Sequence, residues 1–502
     1  MNKEILNIVK DINDKKSIKP KACVITFGCQ QNEADSEKIK GMLDSMGYDV
    51  INADMTEDIS NNYGKFNFNL NLNEDENNPE TASPLASCDV IIMNTCAVRE
   101  HAELKAFSRT GQLKHYKNKN KNLLVGICGC MVEQEHILEY IKKSFPYVDF
   151  IFGTRSIHKF PELFYETLIN NKRILRKIVE QDIIDETLPV RRDSFYKAWV
   201  SIMYGCDNFC SYCVVPYVRG RERSRSKDKI IEEIRELIES GYKDITLLGQ
   251  NVNSYKDFGN GRDVEDTVLY NFTDLLSDII KIEGDYWIRF VTSHPKDVPD
   301  RLITLMGENE KIANHFHLPV QAGSDRILKL MNRKYTKENY LETVGKLRQN
   351  VKDIAIASDI IVGFPGETEE DFNETLDIIK KAEFDYIFSF IYSKRKNTPA
   401  AEMEDNISRK EKTDRFARLA KTQNAISLKK NKAYEGRTVK VLVDGEYKDN
   451  RAEEKNYLSG RTSTHKLVIF ENNSDSCLTG KFINVKIIEG KLHGLYGEIV
   501  KD

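Results

Sequence analysis

The rhythm of apolar and polar positions changes three times along the chain. From Ala22, short apolar runs alternate with segments in which apolar residues recur every three or four positions. The runs ACVITF (22–27), DVIIM (89–93), LLVGI (123–127) and VDFIF (148–152) predict strands. Between them, the stripe Ile39, Met42, Leu43 and Met46, the segment Arg99 to Tyr116, and the stripe Ile137, Leu138 and Ile141 predict helices. Strand alternating with helix predicts an α/β domain with a mostly parallel sheet over 21–155, preceded by an extension (1–20). An Asn-rich stretch at about 57–86 lacks that periodicity and predicts a surface insertion.

A helix and a charged linker are expected over 156–195, and a second alternating series follows. Its strands are WVSIM (199–203), ITLL (245–248), WIRFVT (287–292), HFHLPV (315–320), IASDIIVGF (356–364) and YIFSFIY (386–392). The stripe Ile230, Ile231, Ile234, Leu237 and Ile238, stopped by Gly241, is one of the helices between them. Six such repeats over 196–432 predict a partial (β/α)6 barrel, with its chemistry at the strand C-termini. After a basic helix through Phe416, Leu419 and Ile426 the period shortens to two. TVKVLVDG, HKLVIFE, KFINVKIIEG and LYGEIV predict a small antiparallel β-barrel over 433–502, of the oligonucleotide-binding type.

Length agrees with this division, since 502 residues at about 150 per domain suggest three cores. With 40% hydrophobic and 30% charged residues the composition is that of a soluble protein, and no apolar run approaches the ~18 residues of a membrane span. The first twenty residues mix acids with lysines and lack the apolar stretch of a secretory signal, so no membrane association and a cytoplasmic location are expected. The net charge of −3 points to no polyanionic partner, but two basic runs stand out. One lies between Ser408 and Lys440; the other is Arg219, Arg221, Arg223 and Arg225, expected to grip phosphates.

In a reducing compartment, clustered cysteines argue for metal or catalysis rather than disulfides. Cys206, Cys210 and Cys213, in GCDNFCSYC, follow the strand WVSIM with no fourth cysteine nearby. Zinc loops present C-x2-C pairs and ferredoxins bring a fourth thiolate, whereas a cube held by three thiolates keeps one iron open. Cys29, Cys96 and Cys130 each lie just past a strand C-terminus, the edge at which parallel sheets assemble sites. They could converge on a second three-thiolate cluster, although Cys128 rivals Cys130 on spacing alone.

Gln250, Asn251, His294 and Gln321 lie at or past strand ends, where barrels put polar working groups. For His294, His315 and His317 a structural, hydrogen-bonded role is expected in preference to a metal one. GFPGE (363–367) ends a strand, and Thr368 with Asp371 forms a capping pattern for the next helix.

The C-x3-C-x2-C spacing, with the aromatic Tyr212 before its last cysteine, closely resembles the radical S-adenosylmethionine superfamily. There the cofactor's methionyl amine and carboxylate occupy the open iron of a 4Fe-4S cluster, and its one-electron cleavage releases a 5′-deoxyadenosyl radical. GCQQNEADSE, NTCAVRE, GCM, AWVSIMYGCDNFCSYCVVPYVRGRERSR, LLGQNVNSY, TSHP, HLPVQAGSDRIL, DIIVGFPGETEEDF and NTPAA extend the resemblance to the methylthiotransferase family. That family joins a second 4Fe-4S cluster to a radical S-adenosylmethionine barrel and a TRAM barrel. The resemblance implies Cys29, Cys96 and Cys130 as ligands of the second cluster, and leaves Cys23, Cys88, Cys128 and Cys477 as packing residues. It also implies S-adenosylmethionine contacts near Tyr212, Gln250, Gln321, Gly363 and Gly366.

The chain looks most like the branch that acts on isopentenyl-adenosine beside the anticodon of tRNA, which implies the tRNA anticodon stem-loop as a partner. An electron donor such as flavodoxin or ferredoxin and iron–sulfur assembly proteins are implied as well. Sister branches act on threonylcarbamoyl-adenosine or on a ribosomal-protein aspartate. From another class, a non-catalytic iron–sulfur RNA-binding protein would carry the same cysteines.

Overall fold

The computed structural model describes residues 2–51, 83–98, 100–170, 172–175, 183–257, 270–447, 456–472 and 476–500, so most of the Asn-rich insertion lies outside the described residues. The chain divides into two units, one of residues 1–193 with 214–220 and one of residues 194–213 with 221–502.

In the first unit, the strands β1 (Lys21–Thr26), β2 (Asp49–Ile51), β3 (Val90–Thr95), β4 (Leu124–Gly129) and β5 (Phe150–Gly153) form one parallel sheet in the order β2-β1-β3-β4-β5. All six residues of β3 and all six of β4 are buried. Sheets covered on both faces read as continuous apolar runs, which is why these strands were legible. The helices are α1 (Asn2–Asp14), α2 (Gln30–Ser45), α3 (Glu100–Lys119), α4 (Glu135–Ser144), α5 (Phe160–Asn170) and the short α6 (Val215–Arg219). One hydrophobic core runs through Val24, Ile39, Met42, Val90 and Phe150, and another through Ile25, Met93, Ile127 and Ile141. In this strand order the chain reverses direction between β1 and β3, which opens a crevice at the strand C-termini.

In the second unit, β6 (Lys197–Ser201) is followed by β7 (Met203–Tyr204) and β8 (Arg223–Ser224), an antiparallel pair. Beyond α7 (Lys227–Glu239) and β9 (Asp244–Leu248), the short β10 (Lys256–Asp257) and β11 (Tyr270–Asn271) pair beside α8 (Phe272–Ile279). Next come β12 (Trp287–Phe290), α9 (Asp300–Glu308), β13 (His315–His317), α10 (Asp325–Leu330), α11 (Lys337–Asn350), β14 (Ala355–Val362), α12 (Glu369–Ala382), β15 (Tyr386–Ile391) and α13 (Arg409–Lys432). The parallel sets β6-β9-β12 and β13-β14-β15 are linked by a parallel bridge from Ile288 to Ile312, giving the six-stranded partial barrel.

Local signals agree with this frame. Thr368 and Asp371 cap α12 reciprocally: Thr368 N donates to Asp371 Oδ2 at 2.9 Å, and Asp371 N donates to Thr368 Oγ1 at 3.3 Å.

The tail is a closed barrel of β16 (Thr438–Glu446), β17 (Tyr457–Thr462), β18 (Leu467–Glu471), β19 (Phe482–Lys491) and β20 (Gly494–Ile499). It meets the partial barrel through Trp287 against Phe482, with ring centroids 4.6 Å apart, and through Arg289, which donates to the carbonyls of Thr462 and Ser463, each at 2.9 Å.

Two histidines here are buried and neutral. Burial first, then Arg333 and two lysines, press His294 down to about 2, while burial and then Arg289 hold His315 well below the ordinary value. In the unfolded chain both titrate near 6.5. Below that pH the unfolded state binds more protons than the folded one, so stability is lost as pH falls from about 6.5 toward 2. At pH 5 each histidine that stays neutral costs about 2 kcal/mol. A melting temperature several degrees lower at pH 5 than at pH 7.5, with the gap narrowed in His294→Gln, is the expected outcome of a thermal melt.

Candidate active site

At the C-terminal edge of the first unit's sheet, three loops carry cysteines. Cys29 follows β1 and is the N-cap of α2, Cys96 follows β3, and Cys130 follows β4. Cys96 and Cys130 are buried and Cys29 is exposed, so the group opens to solvent on one side. Burial raises the Cys130 thiol to about 12, with Arg219 opposing and with Cys96 and Cys29 adding to the rise, so the three sulfurs act on one another.

Cys128, the rival on spacing, projects into the core with Leu124 and Phe150, and burial holds its thiol well above the ordinary value. Cys23 and Cys88 are buried as expected. Cys477, expected to pack, is exposed instead, because it lies in the polar loop between β18 and β19.

Asn32 ties two of these loops together. Its Nδ2 donates to the carbonyls of Phe27 at 3.1 Å and Thr95 at 3.0 Å, and its Oδ1 accepts from the Cys29 thiol at 3.6 Å. Gly28 allows the close approach: its φ is +132°, and an added Cβ would lie 2.8 Å from Cys96 Cβ. Backbone strain of that kind costs about 1–3 kcal/mol, before any displacement of Cys96. Gly28→Ala is expected to fold with lower stability and, once reconstituted with iron and sulfide, to retain about four irons per chain where the parent holds about eight. Iron analysis checks this.

The second unit holds the other triplet on the loop after β7. Cys206 and Cys210 are buried and Cys213 is half-buried. Phe209 turns the loop with φ +46° and lies under the Arg221 guanidinium at 5.1 Å. Asn332 Nδ2 holds the carbonyl of Phe209 at 2.9 Å, and Ser211 Oγ donates to the carbonyl of Leu330 at 2.8 Å. Two donors reach the sulfurs, each at 3.4 Å: Asn208 Nδ2 to Cys206 and the buried Arg333 Nη1 to Cys210. Burial raises the Cys206 thiol to about 11, against hydrogen bonds from Asn208. Tyr212 packs beside Ala322, Met331 and Phe364.

An open polar cavity of about 560 Å³ flanks this loop, lined in part by Asp207, Asn208, Glu222, Asn251 and Asn253.

The other sequence candidates occupy strand ends of this unit. Gln250 Oε1 is buried with no hydrogen-bond partner among the described residues, an orphaned acceptor of the sort a bound molecule satisfies. Gln321 has φ +70° and pairs its backbone with Asp359 and Ile361. Gly363 (φ +70°) donates its N–H to Glu367 Oε2 at 2.8 Å, and Gly366 (φ +80°) accepts from Arg326 at 2.6 Å. His294 accepts from Lys296 N at 3.3 Å, His315 meets the Tyr386 hydroxyl at 2.7 Å, and His317 lies 3.3 Å from Asp359.

The arginine run departs from expectation. Arg219 and Arg225 are buried, bonded to Asp35 at 2.9 Å and to Glu233 at 2.7 Å respectively, so neither faces a phosphate. Only Arg221 and Arg223 reach solvent. Periodicity gave no sign of the buried pair, nor of Asn32, Asp35 and Arg333; all five are polar side chains that only the folded loops bring to the sulfurs or to the core.

Among the described residues, no group of three His, Cys, Asp or Glu converges on a single-ion site. A cube spreads its ligands over its own corners, so the fit rests on donor chemistry. Each place offers three thiols, and each has a buried guanidinium beside it rather than a fourth sulfur.

Comparison with known proteins places the whole chain. Residues 70–153 match Uncharacterized protein family UPF0004, residues 200–379 the Radical SAM superfamily, and residues 432–500 the TRAM domain. A tRNA-2-methylthio-N(6)-dimethylallyladenosine synthase of Clostridium tetani is 48% identical over 98% of this chain and 99% of its own length. The chain belongs to this synthase family. A relative of the same name from Acetivibrio thermocellus is 47% identical over 98% of this chain and 94% of its own. Among solved structures, the radical S-adenosylmethionine methyltransferase TsrM of Kitasatospora setae shares the fold, with a TM-score of 0.51 at 12% identity over 76% of this chain and 74% of that one. No described helix is long and apolar enough to cross a membrane.

Proposed function

We propose that the protein is a tRNA methylthiotransferase that converts isopentenyl-adenosine beside the anticodon to its 2-methylthio form. One observation carries the reading. Two separate three-cysteine sets, one past the parallel strands β1, β3 and β4 and one on the loop beyond β6 and β7, occur in a chain that matches the named synthases over nearly its full length.

The C2 hydrogen of adenine is too weakly acidic for any side chain to remove as a general base, so proton transfer alone cannot open that position. When bound, two 4Fe-4S clusters and S-adenosylmethionine supply a hydrogen-abstracting carbon radical and the sulfur and methyl to be delivered. Cys206, Cys210 and Cys213 would hold the first cluster, and Cys29, Cys96 and Cys130 the second, in the part spanning 21–155.

The chain's own residues do the rest. Arg333 and Asn208 donate to the first set of sulfurs, Asn32 and Gly28 fix the loops of the second, and Gln250 offers a buried acceptor just past the end of β9. Tyr212, Gln321, Gly363 and Gly366 belong to the same cofactor pocket.

Over 433–502 the small barrel would grip RNA. Lys481 and Lys486 are exposed on it, and Lys491 lies 4.1 Å over the Tyr496 ring. With Arg219 and Arg225 buried, phosphate contacts fall to these lysines and to Arg221 and Arg223. Lys481→Ala/Lys486→Ala should weaken tRNA binding at low salt and reduce the slope of log Kd against log salt by about 2. The anticodon stem-loop suits this use, because a single-stranded base is exposed at lower cost than a paired one. A flavodoxin or ferredoxin would supply electrons, assembly proteins would load the clusters, and the work is placed in the cytoplasm.

The test is anaerobic incubation of the reconstituted protein with reductant, S-adenosylmethionine and tRNA carrying isopentenyl-adenosine. 5′-Deoxyadenosine and 2-methylthio nucleoside are expected together. A protein that makes neither is a non-catalytic iron–sulfur RNA binder, and one that modifies only threonylcarbamoyl-adenosine or a ribosomal-protein aspartate belongs to a sister branch.

A further inference from the structure

Beside the sulfurs of Cys29, Cys96 and Cys130 lies one buried guanidinium with a fixed address. Arg219 closes α6, is 5% exposed, and donates from Nη2 to Asp35 Oδ2 at 2.9 Å and to Asn32 Oδ1 at 3.0 Å. The same Asn32 oxygen accepts from the Cys29 thiol at 3.6 Å, so thiol and guanidinium share one acceptor atom. On its other face α6 packs Val218, with Val214, against Cys130 and Ala97. Cys130, Asp35 and Cys29 all lie within electrostatic reach of this guanidinium.

Taking a guanidinium out of water costs several kcal/mol unless nearby anions compensate. Asp35 supplies one of those anions, and the thiolates of a bound cluster would supply the others. A permanent cation in a water-poor setting acts strongly on charge that develops next to it.

We infer that Arg219, positioned by Asp35 and Asn32, is the cation that balances the anionic second cluster and the sulfur it delivers, and so favours the cluster's more negative, reduced state. The inference rests on Cys29, Cys96 and Cys130 being ligands. It makes Arg219 a positioning residue of that site rather than an RNA contact.

The test uses the full chain carrying Cys206→Ala, Cys210→Ala and Cys213→Ala, reconstituted with iron and sulfide so that only the second set is loaded. About four irons per chain are expected in this parent. A parent that holds none overturns the ligand assignment itself, whatever Arg219 does. In a redox titration followed by electron paramagnetic resonance, Arg219→Gln should lower the reduced-to-oxidised ratio at a fixed potential about tenfold, a midpoint ~59 mV more negative for one electron.

Asp35→Asn should shift the midpoint the opposite way, because it removes the anion facing the same cation, and Arg219→Lys should stay within about twofold of the parent. A purely structural role predicts no such opposition of sign. If Arg219→Gln loses its iron, the decision passes to the other two: a positive shift in Asp35→Asn with Arg219→Lys unchanged upholds the inference. An unshifted midpoint in Arg219→Gln, or in Asp35→Asn, overturns it.

Discussion

Each of Cys206→Ala, Cys210→Ala and Cys213→Ala is expected to stop 5′-deoxyadenosine formation, with less than about one per cent of the parent rate remaining. The physical reason lies in how few ligands the loop offers. Three thiols, with no fourth cysteine nearby, already leave one corner of a cube for the cofactor, so losing another opens a second corner to water. Changes to groups that merely orient a metal ligand cost about 10–100-fold, and loss of a ligand exceeds that range. The loop itself should survive. Asn332 and Ser211 pin its backbone independently of the sulfurs, so circular dichroism and melting should be close to those of the unloaded parent. Liquid chromatography of the quenched anaerobic reaction reads the outcome.

Cys29→Ala, Cys96→Ala and Cys130→Ala are expected to give a different phenotype. Cofactor cleavage should continue within about threefold of the parent, while methylthiolated nucleoside falls by more than about 100-fold. These cysteines belong to the first unit's sheet edge, which has its own supports in Asn32, Gly28 and Gly129. Of the three, Cys96→Ala is the cleanest test. Its side chain is buried beside Gly28, and removing one sulfur there leaves a small cavity and adds no clash. Methylthiolated product from Cys96→Ala would contradict the assignment of that set as the sulfur donor.

The elements that carry the sites were legible because they obey strong local rules. β1, β3 and β4 are buried strands written as apolar runs, and each hands over to a cysteine at the edge where the strand order reverses. The choice between Cys128 and Cys130 was not legible from the residues. Strand alternation would put two residues at that spacing on one face. Gly129, at φ +99°, breaks the alternation: an added Cβ would strike Thr95 O at 2.2 Å. The chain therefore turns after Cys128 enters the core, and Cys130 faces the other sulfurs.

β17 was missed for a related reason. Its sequence, YLSGRT, has no apolar alternation, and Gly460 is there to let strands close up, since an added Cβ would come within 2.4 Å of Leu442 O. α1 was read only as an extension, although Leu6 and Val9 are buried in the core that also holds Phe160. Charge was the least reliable guide. Arg219, Arg225 and Arg415 look like a basic surface in the sequence but are internal, each paired with a buried or half-buried carboxylate.

The most direct measurement is mass spectrometry of tRNA nucleosides from cells lacking the protein, beside the same cells with it restored. Loss of the 2-methylthio group with isopentenyl-adenosine accumulating, reversed by the intact gene and not by its Cys96→Ala form, is the predicted result. An unchanged level of 2-methylthio-isopentenyl-adenosine in the deleted strain would contradict the account.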